Sequence, residues 1–552
     1  MSEQTTDRIY QDFLEEMASL ERFRQHFQDR HPVAPLERED PDVKRLIEAM
    51  AFFSVQTRHA TLRNLRSTWR RLFAGLFDYL LEPLPAAAVV QVDFKKEPGE
   101  VVVLPRGTEV RLTPSEGAAG TFRLQRDLRV LPARLKSTKV LPRVHGGHRL
   151  ILTFESQHER TDAVGMLSLH VRHLGEYLPS LAVFHALRQH VQGVSVVYGD
   201  LADEHSTGAP CEVGFGRRPP GQDDAADYAH PLQRLRATFL FPESELFVHV
   251  KVEPLAKGGW KCFSLCFDLA QEWTAGRSHR PDFFVPFAVP VVNLKEEPAQ
   301  VITTDGTRSE YPIRNLSAGG RLALHSVRGV YELTKVGPVP LRSTHLPGTG
   351  PSYEVEEVPG AKGPTPQLVL RMPEAFTTPR KLVVEARWYQ PRFAAEASGP
   401  IAITLPGRVI EGLGWRLVGQ VQPHRDSTTL SEDVPALTQL LSWKARATLG
   451  LDELRGVLEY LGTPKEGPFR RVLPLLRALS VTRVPDSALR GAGLCHRYAV
   501  ELEPFEPGLE PLVQCFLDLV EQLLDVWNNE ASVELRATVA GKGPLTRPGA
   551  LT

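Results

Sequence analysis

Before Pro83 the apolar residues of this chain recur every three or four positions, and after Ala87 they recur every second position. The first pattern is that of helices with one buried face and the second that of strands. Phe13, Met17, Leu20, Phe23 and Phe27 define the apolar stripe of a first helix over residues 10–31, which Pro32 and Pro35 end because proline cannot continue the hydrogen-bond ladder. Asp40-Pro41 opens a second helix, a carboxylate cap followed by proline at the first helical position, with Val43, Leu46, Ile47 and Met50 expected inward. The period then continues, with or without a break at 57–61, into Leu62, Leu65, Trp69, Leu72, Phe73, Leu76 and Leu80. No acidic residue lies between Glu48 and Asp78, whereas Arg58, Arg63, Arg66, Arg70 and Arg71 do, so the stripe has a basic flank. A pattern this long exceeds what one small domain covers, and it predicts a bundle shared with another helix or another chain.

From Ala87 the alternation of Val90, Val92 and Phe94, then Val101 and Val103, then Val110 and Leu112, between Pro and Gly punctuation, predicts a β domain. Further strands are expected at 150–154, 166–171, 194–198, 246–252 and 262–269, with one short helix at 181–189. A second β block covers 289–385, and its Gly/Pro-dense interval 337–366 reads as a long exposed loop or edge. Helical spacing returns at 436–441, 451–461 and most clearly 512–527, before an alternating strand at 532–539. The expected fold is therefore α+β, in four segments: a helical 1–85, β-rich 86–285 and 286–430, and a mixed 431–552.

Composition narrows the function classes. At 552 residues more than one core is expected, and a prior of roughly 150 residues per domain gives about three or four units. The 65 basic and 66 acidic residues balance, which removes the basic excess that nucleic-acid binding requires. The most apolar run, 283–292, is short and interrupted by Pro286 and Pro290, well below the roughly 20 residues of a membrane span. Residues 1–12 are polar and acidic without the apolar core of a secretory signal, and five scattered cysteines fit reduced thiols better than a disulfide framework, so a cytoplasmic location is expected.

The sequence carries no recognisable catalytic, cofactor or metal constellation. Gly412-Leu413-Gly414 lacks the third glycine of a dinucleotide loop and reads as a turn before a strand at 416–421, and no Gly-Lys-Ser/Thr motif is present. Cys262 and Cys266 share one face of a strand and read as small buried hydrophobes rather than metal ligands. Asp223, Asp224, Asp227 and His230 read as a solvated loop, and His145 and His148 as the flanks of a glycine turn. No Gly-x-Ser-x-Gly elbow occurs, and the neighbouring glutamates of Glu296-Glu297 and Glu356-Glu357 diverge too far to act as a catalytic pair. Arg387-Trp388-Tyr389 could stack nucleobases, but without flanking cations a half-buried strand is the simpler reading.

Several landmarks, taken in order, resemble the TssF family of type VI secretion baseplate wedge proteins, and more distantly the wedge proteins of contractile phage tails. They are Phe27 with His31-Pro32, the run from Asp40 to Phe52, the run from Leu80 to Ala88, Leu104-Pro105-Arg106-Gly107-Thr108 with Thr121-Phe122-Arg123, Phe239-Leu240-Phe241-Pro242-Glu243, the run from Val289 to Leu294, and Ser326-Val327. The chain departs from the family pattern at Trp388-Tyr389-Gln390 and matches only loosely at Leu441-Ser442-Trp443. The resemblance implies a non-enzymatic assembly role without cofactors. It implies as partners TssG, TssE, TssK, a second copy of the chain and the spike protein VgrG, within a cytoplasmic baseplate docked to an envelope-spanning complex, with no nucleic acid and no membrane insertion. The candidate partner interface is Leu62, Leu65, Trp69, Leu72, Phe73 and Leu76, with Arg63, Arg66 and Arg70 on its flank. Two alternatives stay open: a wedge protein of a phage-like or extracellular contractile particle, and an enzyme whose site is assembled from scattered residues.

Overall fold

The computed structural model describes residues 3–30, 41–94, 96–143, 146–199, 202–216, 219, 230–255, 258–270, 283–317, 321–344, 346–360, 363–373, 378–407, 410–426, 434–462, 467–485, 493–527 and 531–545. The architecture is α+β, and the chain divides into two compact units that are discontinuous in sequence. One holds Met1–Leu81, Glu296–Trp388 and Thr428–Gln439; the other holds Glu82–Lys295, Tyr389–Ser427 and Leu440–Thr552.

The first unit begins with helix α1, Glu3–Arg30, and helix α2, Pro41–Leu81. α2 passes without interruption through 57–61 and loses helical geometry only at Phe77, where φ is −143° and ψ 38°. The β portion of this unit has its own core of Ile302, Ile313, Val330, Leu368, Leu370, Leu382, Val384 and Trp388. One sheet carries Arg380–Tyr389 and Ala323–Thr334 at its centre, and a second pairs Ser352–Gly360 antiparallel to Gly363–Arg371. Of the long exposed loop or edge expected at 337–366, the loop is corrected to strands over most of its length: Gly337–Pro340 is an edge strand and Ser352–Gly360 is in a ladder. Pro338 and Pro340 fall on an edge strand and Pro359 and Pro364 at strand ends, where a missing N–H does little harm. Trp388 is buried and donates its indole N–H to the Glu297 carbonyl at 2.8 Å, so it is a core residue rather than a stacking platform.

In the second unit a six-stranded sheet runs in the order Ser398–Thr404, Glu109–Glu116, Gly120–Leu124, Ala288–Val292, Ala87–Phe94, Leu413–Gln422. Its two outer strands lie against each other, so the sheet curls on itself. An eight-stranded antiparallel sheet stands beside it in sequence, with Trp260–Leu269 between Val191–Tyr198 and His148–Arg160 at its buried centre. The landmarks at 104–108 and 121–123 meet at one turn: Gly107 takes φ +81°, its N–H donates to the Leu124 carbonyl at 2.9 Å, and Arg123 Nε donates to its carbonyl at 3.0 Å. The helix expected at 181–189 spans Tyr177–His190. A further helix, Pro231–Leu240, escaped the pattern reading because it is short and its buried face includes Arg236.

A C-terminal sheet completes this unit in the order Leu476–Pro485, Leu494–Leu502, Ser532–Val539, Gly543–Pro544. Its central pair is parallel, and the helix Glu510–Trp527 makes the crossover. Leu512, Val513, Phe516, Val520, Leu523, Leu524 and Trp527 are all buried, and Phe516 closes an aromatic cluster with Phe469 and Phe239, ring centroids 5.8 and 6.4 Å away. That stripe is spent within the chain.

Candidate protein-interaction site

α1 and α2 form an antiparallel hairpin whose register is set by polar contacts. Asp12 accepts from His59 Nε2 at 2.8 Å and lies 3.5 Å from the Arg58 guanidinium, while Ser54 donates to Glu16 at 2.8 Å. Beside these contacts Ala51 and Val55 of α2 are buried. With 28 residues against 41, and with Asp12 level with His59, α1 ends near residue 68 of α2, so α2 overhangs it by about 20 Å at 1.5 Å per residue.

The hairpin leaves large apolar side chains in solvent on several sides. Leu46, Met50 and Phe53 follow the i, i+4, i+7 spacing of one helical face and are 60%, 52% and 67% exposed. That face lies roughly opposite Ala51 and Val55, so the inward placement expected for Leu46 and Met50 is corrected: α1 covers the other side. Phe52 is exposed beside Phe53, with ring centroids 5.8 Å apart. Adjacent residues on a helix point about 100° apart, so a Phe-Phe pair cannot put both rings against one neighbour; that signal was available in the sequence. On α1, Tyr10, Leu14 and Phe23 are likewise exposed.

The predicted stripe divides. Phe73 is fully buried and stacks on Phe77 at 4.9 Å, so the chain's own core holds it. Leu62, Leu65 and Leu72 are 44%, 48% and 56% exposed, and Trp69 is half-buried. The side chains of Arg63, Arg66, Arg70 and Leu76 lie outside the described residues, although their backbone belongs to α2. Arg58, from the same basic flank, is engaged by Asp12 within the hairpin.

Beyond Leu81 the chain belongs to the second unit, and residues 82–86 are tied down within it. The Glu82 carbonyl accepts from Arg236 at 2.6 Å, Leu84 and Arg425 exchange backbone hydrogen bonds at 2.8 and 2.7 Å, and the Asn293 N–H donates to the Ala86 carbonyl at 2.7 Å. Burial pushes the Arg236 guanidinium down to about 10, and the Glu82 carboxylate charge opposes that shift only in part. Beside this strap lies a cavity of about 190 Å³ lined by Leu84, Pro85, Phe241, Pro242, Arg425 and Pro468 among others, small next to the roughly 300–1,000 Å³ of ordinary ligand sites.

The polar residues weighed for chemistry have structural surroundings where they are described. Cys262 and Cys266 are buried in one strand and not disulfide-bonded, and burial pushes the Cys266 thiol up to about 11. His230 caps the Pro231–Leu240 helix by accepting from the Leu232 N–H at 3.2 Å, while Asp223, Asp224, Asp227 and His145 lie outside the described residues. Glu296 pairs with Arg328 and Arg387, each at 3.2 Å. Gly412 has φ +85° in a turn whose carbonyl accepts from Lys96 at 3.3 Å, as the turn reading requires. Among the described residues no group of three or more His, Cys, Asp or Glu side chains converges as a metal site, and no helix is long and apolar enough to cross a membrane.

Residues 5–346 match the family described as type VI secretion system, TssF. The chain belongs to the TssF family. The expected resemblance is therefore correct, and the match takes in the hairpin, the turn at Gly107 and both β regions up to Leu346. Two solved structures share the fold of this TssF-family chain at low identity. A chain of a TssK-TssF-TssG baseplate subcomplex of the type VI secretion system aligns with TM-score 0.71 at 18% identity, covering 92% of this chain and 98% of its own length. A chain of a type VI secretion baseplate complex aligns with TM-score 0.60 at 17% identity, covering 98% of each. Comparison with curated proteins found no match.

Proposed function

We propose that this TssF-family chain is a structural, non-enzymatic component of a type VI secretion baseplate wedge, assembling with TssG and TssK, and with TssE, VgrG and a second copy of itself, to nucleate the contractile sheath and tube at the cytoplasmic face of an envelope complex. The observation that carries this reading is the hairpin's set of exposed large apolar side chains on more than one side of α2: Leu46, Met50 and Phe53 on one, Phe52 on another, Leu65 and Leu72 on a third. A helix apolar around most of its circumference belongs inside a bundle, and one neighbour, α1, covers only part of this one. Family membership supplies the system in which the missing helices are sought, and the baseplate chains with the same fold suggest TssG and TssK as their first candidate sources.

Leu65→Asp combined with Leu72→Asp tests it. Both positions are about half exposed, so the isolated variant should fold with unchanged circular dichroism and a melting temperature within a few degrees of the parent. Co-purification with TssG is expected to fall at least about tenfold, the scale of losing two interface anchors. A folded variant that retains the full complex would overturn the bundle assignment.

A further inference from the structure

Every open sheet has two edges, and exposed edges invite pairing with another chain unless they are short, bulged, charged or blocked by proline. Nearly all edges among the described residues of this chain are blunted in one of these ways. Phe284–Pro286, Ile302–Thr304, Glu310–Pro312, Val102–Leu104 and Leu128–Val130 are three residues long, and Arg342–Ser343 and Gly543–Pro544 are two. Lys295–Pro298 and Gly337–Pro340 are four residues ending in proline. Arg134–Pro142 carries Arg134, Lys136 and Lys139 and a register shift, and Ser398–Thr404 carries Pro400 and a register shift while lying against Leu413–Gln422.

Leu476–Pro485 is different. It has ten residues and, among the described residues, pairs with Leu494–Leu502 on one side only. Its single register shift falls at the start, between Leu476 and Ala478, and its proline falls at the end, so 478–484 is an unbroken run, Ala-Leu-Ser-Val-Thr-Arg-Val, of high strand propensity with no lysine. Antiparallel partners share a face, so Leu479, Val481 and Arg483 lie on the face of Val500, Tyr498 and His496, all three of which are buried. Leu479 and Val481 are nevertheless only half-buried and Arg483 is exposed, so the covered face of the sheet stops short at this edge. The strand contains two arginines and no acidic residue. Arg477 lies 3.5 and 3.7 Å from Glu501 and Glu503, whereas Arg483 makes no ion pair among the described residues.

We infer that the Leu476–Pro485 edge is a strand-addition site, taking an extended segment of a baseplate partner with alternating apolar residues and a carboxylate placed to meet Arg483. The backbone ladder supplies the binding, and the half-covered Leu479 and Val481 select for apolar residues on alternate positions of the incoming strand. This inference rests on the proposed wedge assembly for the identity of the partner, but it concerns a different surface from the hairpin.

Amide hydrogen exchange of the full chain, alone and co-purified with TssG and TssK, tests it without any substitution. The peptide covering 478–484 is expected to exchange at least about tenfold more slowly in the complex, and Arg483→Glu is expected to remove that protection while the hairpin still holds the complex together. An intact complex with unchanged exchange at 478–484 overturns the strand addition and leaves the wedge reading standing. Protection that survives Arg483→Glu overturns the carboxylate. Failure of any complex to form removes both readings together.

Discussion

Three buried histidines make the stability of this chain depend on pH. His170 and His249 are held down to about 3 and His185 to about 4, in each case chiefly by burial, with Arg126 or Arg188 adding repulsion. The His249 Nε2 lies 2.8 Å from the Gly216 carbonyl and its Nδ1 2.8 Å from the Ser168 hydroxyl, contacts that a neutral imidazole satisfies. Because these folded-state values lie below the unfolded value of 6.5, the unfolded chain gains protons first as pH falls, and stability drops below about pH 6.5. Each group contributes about 1.4 kcal/mol per pH unit, so denaturant titrations should lose about 3–4 kcal/mol per unit between roughly pH 6 and 5. The Glu243 carboxyl, which burial pushes up, works in the opposite direction, and a flat profile would contradict the buried neutral histidines. Gly412 is a second residue-scale constraint: a Cβ there would sit 2.4 Å from the Lys96 carbonyl oxygen at φ +85°. Gly412→Ala should therefore cost about 1–3 kcal/mol in equilibrium unfolding, whereas an unstrained surface glycine would lose little.

At the scale of elements, two helices with similar apolar patterns have opposite fates. The stripe of Glu510–Trp527 and that of α2 both repeat at three and four residues, yet the first is wholly buried and the second is left half open. Phe516→Ala should accordingly destabilise the isolated chain by about 3–5 kcal/mol, the usual cost of emptying a buried phenylalanine site. Leu62→Ala, at a side chain 44% exposed, should cost under about 1 kcal/mol by the same thermal or denaturant assay. Element existence was legible for most helices and strands, because period alone reports which way side chains must alternate. It failed where the buried face was not purely apolar, as with Arg236 in Pro231–Leu240, and where proline and glycine masked a hairpin at 352–371.

For the whole molecule, the exposed apolar positions of the hairpin predict behaviour that a chain with a closed surface would not show. Tyr10, Leu14, Phe23, Phe52 and Phe53 are all at least 46% exposed, so the isolated chain should bind an environment-sensitive hydrophobic dye. Under the proposed assembly, addition of TssG and TssK should lower that signal, and Leu65→Asp with Leu72→Asp should blunt the decrease. A dye signal indifferent to partners would place these side chains outside the assembly surface. Strand pairing also joins residues far apart in sequence, such as Ala87–Phe94 with Leu413–Gln422, and the first compact unit takes residues from three separate stretches.

The hydrophobic period, the caps and the turn residues are local properties that the order of residues sets: the apolar period along 43–80, the onset of strands at Ala87, the turn at Gly412 and the order of family landmarks, whereas the continuity of α2 through 57–61 came from the fold. Which side of each helix stays wet, and which strand ends a sheet, are decided by what packs alongside. Only the tertiary structure could therefore show that Phe73 is spent inside the chain, that Leu46 and Phe53 are not, and that Leu476–Pro485 is a long edge left unblunted. The physical reason is that burial depends on neighbours brought from distant sequence, whereas periodicity records only that a face is apolar and not what covers it.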